Sequence, residues 1–456
     1  MSESKIKNKL GELYISSNMQ RSSEEIAGNI DLLTEILVRV PAKPLLRFIC
    51  VSKQWLALIS DSQFCHSHTL FHHTPHSNPC ALLLNHDFSP SPHFQIVPLT
   101  NSETDPSVVK VPCLDYLNVP RILIMESCNG LMLCSTAFLM KLDDQITFSI
   151  SVEGKRFKIS YAPFPLADNC ASVLTDNGLA FRYFLCNPTT KQYTVVTFPT
   201  EEFGRQLVTL SLAFDPLRSP HYKVISIRTV KDRTKSRGNG QKLKMINVYS
   251  SETGSWSEDV CFTAPPSISF HVGVYFKCAI HWYTDSDQNS VYFDVDTQCL
   301  KTYPMPPPDN EDLSLTEVGY FGESMGHLHV VFIDRFKNVE FDILELKEDY
   351  SGWVLRYHVD LTPTEHAFPE LVWDLRDKMY SFSVLCIVRQ AKEEDSVVVL
   401  FVDGRAMYFN LVDHTSRKLC DLEPCMATAG TAALDYEHGD AFQYIESLSY
   451  VRAFAC

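Results

Sequence analysis

The sequence predicts an α+β protein in which β-structure dominates, with a small helical module near the N-terminal end and a large all-β domain after it. Three observations support this class. A helical period of apolar residues is confined to the first seventy residues. Short segments rich in β-branched and aromatic residues follow from about residue 110 onward. A strand-end motif also recurs along this second part, which is typical of repeat architectures.

The composition indicates a globular protein and restricts its partners. The chain has 456 residues, of which 45% are hydrophobic and 21% charged, with a formal net charge of -15. An acidic balance disfavours sequence-independent binding to nucleic acid and docking on anionic membranes. The chain has neither the roughly 18-residue apolar run of a membrane helix nor the apolar core of a signal peptide. We expect a protein of the cytoplasm or nucleus whose 15 cysteines are reduced and mostly buried.

Residues 24–70 predict three short helices, following a terminus at 1–23 that we expect to be disordered. Asp31 stands where an N-cap would accept backbone amides, and Pro41 ends the first helix. Ser52 suits the cap of the third helix. Helices this short cannot bury all their apolar side chains among themselves. The module therefore needs a partner surface, either the following domain or another protein.

After the helical segment, we predict a linker at 71–110 that includes a first strand, Ala81 to Leu84. We predict that residues 111–456 form an all-β domain. Turn pairs such as Asn129-Gly130 and Asp403-Gly404 separate its strands. Units of roughly 40 to 50 residues are the size of propeller blades, so we predict a β-propeller of six to eight blades, with tandem β-sandwiches as the alternative. The strand-end motif occurs at 185–193, 248–256 and 292–300, with looser copies at 344–353 and 409–419.

The helical segment resembles an F-box. The resemblance rests on Ile30-Asp31-Leu32-Leu33, Arg39-Val40-Pro41-Ala42-Lys43 and Cys50-Val51-Ser52-Lys53-Gln54-Trp55, although the family's usual opening is Leu-Pro. In that family the helices dock on the adaptor Skp1, which joins a cullin–RING ubiquitin ligase. Some of the matching residues must instead face the module's own core. The resemblance implies these Skp1-binding candidates: Ile30, Leu33, Ile36, Leu37, Val40, Pro41, Leu45 and Trp55.

The β-domain is similar to the F-box-associated domain of plant F-box proteins. The similarity is carried by Ser127 to Cys134, Leu185 to Lys191 and Leu212 to Pro216. The chain has no Gly-Gly pair and a single Trp-Asp, which excludes a typical kelch or WD40 array. The two resemblances together imply a non-catalytic substrate-recognition subunit of an SCF-type (Skp1–cullin–F-box) ubiquitin ligase. The alternatives are a propeller that binds or converts a small molecule, with the F-box as a regulatory handle, and a scaffold that binds Skp1 alone.

Several patterns suggest chemistry, but each has a simpler structural explanation. The histidines from His66 to His76 fit no zinc-ligand spacing and are expected to form a polar helix end and linker. Gly322-Glu323-Ser324-Met325-Gly326 matches a nucleophile elbow but lies between two predicted strands, which favours a hairpin turn. The basic stretch 231–244 is expected to be a solvated hairpin loop, and the tryptophans of the β-domain are expected to be packing residues. We predict no catalytic residue, cofactor or metal.

Overall fold

The computed structural model divides the chain into two compact units, Met1–Thr74 and Pro75–Cys456. The residues whose structure is described are 28–72, 78–85, 94–99, 114–117, 119, 122–139, 146–152, 155–161, 173–174, 179–200, 207–229, 242–264, 268, 270, 272–284, 289–306, 316–334, 339–365, 372–374, 379–380, 382–422 and 436–452. The terminus at 1–23 and residues 231–241 of the basic stretch lie outside these ranges, whereas Lys242 and Lys244 at its end belong to a strand and not to the expected loop.

The described residues of the first unit, 28–72, form four helices: α1 Ile30–Leu37, α2 Ala42–Phe48, α3 Lys53–Ile59 and α4 Ser62–His72. The N-cap of α1 is Asn29, whose Oδ1 accepts the amides of Asp31 (3.0 Å) and Leu32 (3.2 Å). The prediction of Asp31 as the cap was therefore wrong by two residues, because Asn29 offers the same short acceptor. The predicted Ser52 cap is confirmed, with its Oγ 3.2 Å from the Trp55 amide.

The fourth helix corrects the expectation of a polar helix end and linker over the histidines. His68 is buried, and its Nε2 lies 2.7 Å from the carbonyl oxygen of Val40. One turn later, Nε2 of His72 lies 3.0 Å from the carbonyl oxygen of Val38. These two carbonyls follow the end of α1, where no further helical amide reaches them. The histidines thus fasten α4 to the end of α1.

The second unit is a six-bladed β-propeller, which confirms the lower end of the predicted range. Two additional two-stranded sheets, β5 with β6 and β23 with β24, are not hydrogen-bonded to the blades. A short helix, α5, spans Thr362–Glu365. The strands are β1 Ala81–Leu84, β2 Gln95–Pro98, β3 Leu123–Cys128, β4 Leu131–Leu139, β5 Ile146–Val152, β6 Lys155–Tyr161, β7 Val173–Leu174, β8 Leu179–Asn187, β9 Gln192–Val195, β10 Leu207–Ala213, β11 Lys223–Thr229, β12 Lys242–Ser250, β13 Ser255–Trp256, β14 Val260–Ala264, β15 Val274–Phe276, β16 Ala279–His281, β17 Asn289–Asp294, β18 Cys299–Pro304, β19 Thr316–Ser324, β20 His327–Asp334, β21 Glu340–Leu346, β22 Trp353–Asp360, β23 Val372–Asp374, β24 Met379–Tyr380, β25 Phe382–Val388, β26 Val397–Val402, β27 Arg405–Asn410, β28 Ser416–Asp421 and β29 Ala441–Tyr444.

The blades follow one another in chain order, and the last strand closes the ring. Blade 1 is β2-β1-β29, blade 2 is built on β3-β4-β8, and blade 3 on β10-β11-β12. Blades 4, 5 and 6 are β15 to β18, β19 to β22 and β25 to β28. In the closing blade, Leu82 pairs with Gln443 and Leu83 with Phe442. Joining both ends of the propeller in one sheet leaves no open edge between the first and last blades.

The recurring sequence motif marks one structural position, the outer hairpin of a blade. Asn187 at the end of β8 accepts the amides of the next turn through Oδ1, and Asp294 and Asn410 do so at the ends of β17 and β27. Such Asx turns reverse the chain at little cost. The residue that re-enters the next strand has positive φ in each case: Lys191 (60°), Gln298 (53°) and His414 (59°).

Candidate functional site

An apolar surface lies on the outer side of the helical unit. Leu32 and Ile36, one turn apart on α1, are 49% and 48% exposed. On the adjacent face of α1, Leu33 and Leu37 are buried, as is Leu45 of α2. The helix is therefore apolar on two sides, and only one of them is used by the core. Other exposed apolar residues of this unit are Ile30, Val51, Leu56, Leu70 and Phe71.

A cavity of about 600 Å³ lies at the axis of the propeller. Its wall includes residues from the innermost strands β3, β10, β15, β19, β25 and β29. A β-bulge interrupts four of these strands. Bulges redirect the side chains that follow them. The residues directly after the four bulges, which all line the cavity, are Glu126, Thr209, Tyr320 and Cys386.

Glu126 is the most unusual group in this wall. It is 92% buried, since 8% of its surface is exposed. Its Oε2 accepts the amide of Leu212 from the neighbouring blade, while Oε1 has no partner within hydrogen-bond geometry. Burial raises the pKa of Glu126 from its usual 4.5 to about 8, against the stabilising effect of hydrogen bonds from the Leu212 amide, the Ser211 side chain and the Gly273 backbone. At neutral pH this carboxyl group is therefore largely protonated.

A second carboxyl group, Glu323 of β19, belongs to the same wall. Burial raises its pKa to about 7, although its Oε1 accepts the amide of Gly326 at 2.6 Å. Burial raises the pKa of the Cys128 thiol well above its usual value. The negative charges of Glu126, Glu323 and Asp215 raise it further. The cavity thus concentrates acidic groups in a region of low dielectric.

The sequence is similar to a known protein family. A family model described as the F-box domain matches residues 29–67. F-box protein At5g07610 of Arabidopsis thaliana is 31% identical over 443 residues, which cover 94% of this chain and 94% of that protein. The chain belongs to the F-box protein family. The putative F-box protein At1g32420 of the same plant is 42% identical over 91 residues, or 18% of this chain and 29% of that protein.

Similarity to solved structures is weaker than the sequence similarity. The crystal structure of the mitotic checkpoint complex aligns with a TM-score of 0.28 at 9% identity, over 54% of this chain and 59% of that one. A similarity this low carries no argument about function.

The eight residues predicted to bind Skp1 separate into three groups within the F-box. Ile30, Ile36 and Pro41 are exposed, whereas Val40 and Trp55 are half-buried. The remaining three, Leu33, Leu37 and Leu45, are at most 2% exposed and form the F-box core. Sequence reasoning left Leu32, Val51, Leu56, Leu70 and Phe71 out of the candidates; the helical spacing of Leu32 and Ile36 was the available signal.

The other sequence candidates have structural roles. Ser324 ends β19 and is followed by β20, so the nucleophile-elbow pattern is a hairpin, as predicted. Trp282 is fully buried, while the indole nitrogens of Trp256 and Trp353 donate to the carbonyls of Thr197 and Pro304. Of the eleven cysteines described as free, five are buried, three half-buried and three exposed.

Two features are absent from the part of the F-box protein that the structure describes. None of its helices has the length and hydropathy needed to cross a bilayer. The same residues include no group of three or more His, Cys, Asp or Glu side chains placed to hold a metal ion.

Proposed function

We propose that this F-box protein is a substrate-recognition subunit of an SCF-type E3 ubiquitin ligase. In this proposal the F-box binds Skp1 and, through it, the cullin–RING ligase, while the propeller recruits a target protein. The subunit itself forms no covalent bond. It acts by holding the target near the charged ubiquitin-conjugating enzyme, which raises the effective concentration of the reacting groups. Its place of action is the cytoplasm or nucleus.

The exposed pair Leu32 and Ile36 carries the proposal. Both lie on α1, where Leu33 and Leu37 already pack into the F-box core, so folding of the unit does not bury Leu32 and Ile36. Burying one such side chain stabilises a complex by roughly 1.5 to 3 kcal/mol. Contiguous apolar residues on a small module are typical of a protein interface. The family assignment supports Skp1 as the partner that covers this surface.

The test is co-purification of the full-length chain with Skp1 and cullin. We expect the wild type to retain both and Ile36→Asp to lose most of the Skp1, because a carboxylate would be placed in an apolar interface. Leu355→Asp is the matched control. Leu355 has the same size as Ile36 and is also exposed, at 58%, but it lies on β22 of the propeller. Equal Skp1 retention by wild type and Ile36→Asp would overturn the proposed interface.

The same experiment separates the ligase subunit from a scaffold. Co-purification of Skp1 without cullin favours the alternative in which the chain binds Skp1 alone. Recovery of neither protein with a folded wild-type chain contradicts the adaptor role altogether. Circular dichroism of each variant shows whether the loss of binding comes from the interface or from unfolding.

A further inference from the structure

We propose that the axial cavity of the propeller is a binding site for an organic cation, a primary ammonium or guanidinium group. Glu126, Glu323 and His438 are the residues that receive it. This inference stands apart from the adaptor role, since it concerns the propeller axis and not the F-box. At about 600 Å³ the cavity lies within the roughly 300 to 1,000 Å³ range of small-ligand sites.

The first observation is the unsatisfied oxygen of Glu126. Buried polar atoms are nearly always paired in folded proteins, so Oε1 of Glu126 is open to a partner from the cavity, and it accepts from a cationic donor once the carboxyl group has lost its proton. The bulge between Ile124 and Glu126 gives Glu126 this position on the innermost strand. A donor entering the cavity would bond to Oε1 without disturbing the Leu212 amide, which is already bound to Oε2.

The second observation is an independent acceptor on another element of the wall. His438 lies in the short turn before β29, and its Nε2 is buried with no hydrogen-bond partner. The ring also has a hydrogen bond with the Gly319 backbone, and burial lowers the pKa of His438 to about 4. The ring is therefore neutral at pH 7, and a neutral imidazole has one nitrogen that accepts a hydrogen bond. Two separate elements thus present buried polar atoms that lack a hydrogen-bond partner.

The third observation is the composition of the wall. The lining residues that the structure describes include two glutamates and no lysine or arginine. Aromatic rings of Tyr275, Tyr320 and Phe321 also belong to it. The faces of aromatic rings attract cations, and so do ionised carboxyl groups. A low dielectric strengthens both the cation–ring and the cation–carboxylate interaction. This composition favours a cationic ligand over an anionic one.

Binding of a cation in the cavity should release protons from its carboxyl groups. Both carboxyl groups have raised pKa values, about 8 for Glu126 and about 7 for Glu323. A bound cation favours their ionised forms, so it releases protons near neutrality and binds more tightly as the pH rises. The titratable groups that act on this pair from the surrounding elements are Cys128, Asp215, Tyr320, His327 and Cys386.

The experiment is isothermal titration calorimetry on the full-length chain with two pairs of probes. Pentylamine is compared with 1-pentanol, and the N-acetylated, C-amidated tripeptide Gly-Lys-Gly with the same blocked tripeptide carrying norleucine in place of lysine, which has no charge. We expect each bound amine to have a dissociation constant at least about tenfold below that of its neutral counterpart. In buffers of different ionisation enthalpy, the wild type should release protons at about pH 7. Pentylamine binding alone identifies a free amine, and tripeptide binding identifies a basic side chain of a protein.

Three variants complete the test. Glu126→Gln keeps an acceptor for the Leu212 amide but loses the charge, so it should weaken amine binding about tenfold or more and reduce the proton release. Glu323→Gln, which keeps an acceptor for Gly326, should act in the same direction. Glu258→Gln, at an exposed position, should bind as the wild type. Equal affinity for amines and neutral probes, no amine binding up to about 10 mM, or unchanged binding by both cavity variants overturns the proposal.

Discussion

The side-chain amide of Asn187 donates hydrogen bonds to the carbonyl oxygens of Ser447 at 3.0 Å and Ser449 at 2.8 Å, across separations of 260 and 262 residues. Asn187 is fully buried, and its Oδ1 accepts the amides of Thr189 and Thr190 in its own turn. One side chain therefore both shapes the outer hairpin of blade 2 and holds the C-terminal segment after the closing strand. All its hydrogen-bonding groups are used, which makes it sensitive to substitution.

Asn187→Ala should destabilise the propeller more than Asn410→Ala does. Both residues accept two turn amides through Oδ1, but Nδ2 of Asn410 bonds only within its own blade, to the carbonyl of Glu394. The change at Asn187 also leaves two buried carbonyls without a donor, at a cost of roughly 1 to 3 kcal/mol each. Urea unfolding monitored by tryptophan fluorescence measures the difference. Equal losses at the two positions would show that the C-terminal contact contributes no stability.

Gly130→Ala should cost more than Gly326→Ala. Both glycines follow a left-handed residue in a hairpin turn and have positive φ themselves, 89° and 75°. A Cβ at Gly130 would lie 2.5 Å from Cβ of Ser447, whereas nothing lies within 4 Å of one at Gly326. Backbone strain of roughly 1 kcal/mol is common to both changes. The additional loss at Gly130, seen as a lower thermal midpoint, measures its packing against the C-terminal segment.

That comparison has two informative controls. The double variant Gly130→Ala/Ser447→Gly removes the clashing Cβ and should recover part of the lost stability. Ser447→Gly alone breaks the bonds of its hydroxyl group with Ser449, so its own cost must be measured and subtracted. No recovery in the double variant contradicts the steric explanation.

Local signals explain how much of this fold could be predicted. The recurring strand-end motif was visible because Asn187, Asp294 and Asn410 each shape their turn through contacts within three residues. The Asn129-Gly130 turn was visible for the same reason, since its positive φ values need these residue types. Ring closure by β29 was not predicted, because the pairing of Leu83 with Phe442 depends on strands from opposite ends of the unit.

The functional surfaces were less predictable than the fold. The sequence did not predict Glu126 as a site residue, because its position in the cavity wall depends on a bulge and on the neighbouring blade. The F-box motif identified the helices, but it did not separate Leu33, which is buried, from Leu32, which is exposed. These neighbours are both leucines, and the helix packing that distinguishes them is a tertiary property. His68 was expected in a polar segment because its carbonyl partner at Val40 is 28 residues away.

Stability should fall with rising pH because of Glu126. Its pKa is raised from 4.5 to about 8, so between these values the folded chain holds a proton that the unfolded chain has released. Its contribution is fully present below about pH 4.5 and is lost as the pH rises through about 8, by up to about 1.4 kcal/mol per unit. Glu126→Gln should remove this slope and gain stability relative to the wild type between about pH 5 and 8.

The measurement for this slope is urea unfolding of both chains at several pH values across that range. Glu258→Gln, which alters an exposed carboxylate, controls for the reduction of net negative charge. A relative stability of Glu126→Gln that is constant with pH would show that Glu126 titrates normally in the folded chain. Glu323, whose pKa burial raises to about 7, should leave a slope of the same sign over a shorter pH range, from about 4.5 to 7, in the Glu126→Gln variant.

Leu37→Ala and Ile36→Asp should both reduce adaptor binding, but for different physical reasons. Leu37 is 1% exposed in the F-box core, and removing its side chain should cost roughly 2 to 5 kcal/mol of unfolding free energy. Ile36 is 48% exposed, so its substitution should leave the F-box folded. Helical circular dichroism should therefore fall at lower temperature for Leu37→Ala only. Binding of Skp1 by Leu37→Ala should recover on cooling, whereas that of Ile36→Asp should stay weak at every temperature; recovery of both would place Ile36 outside the interface.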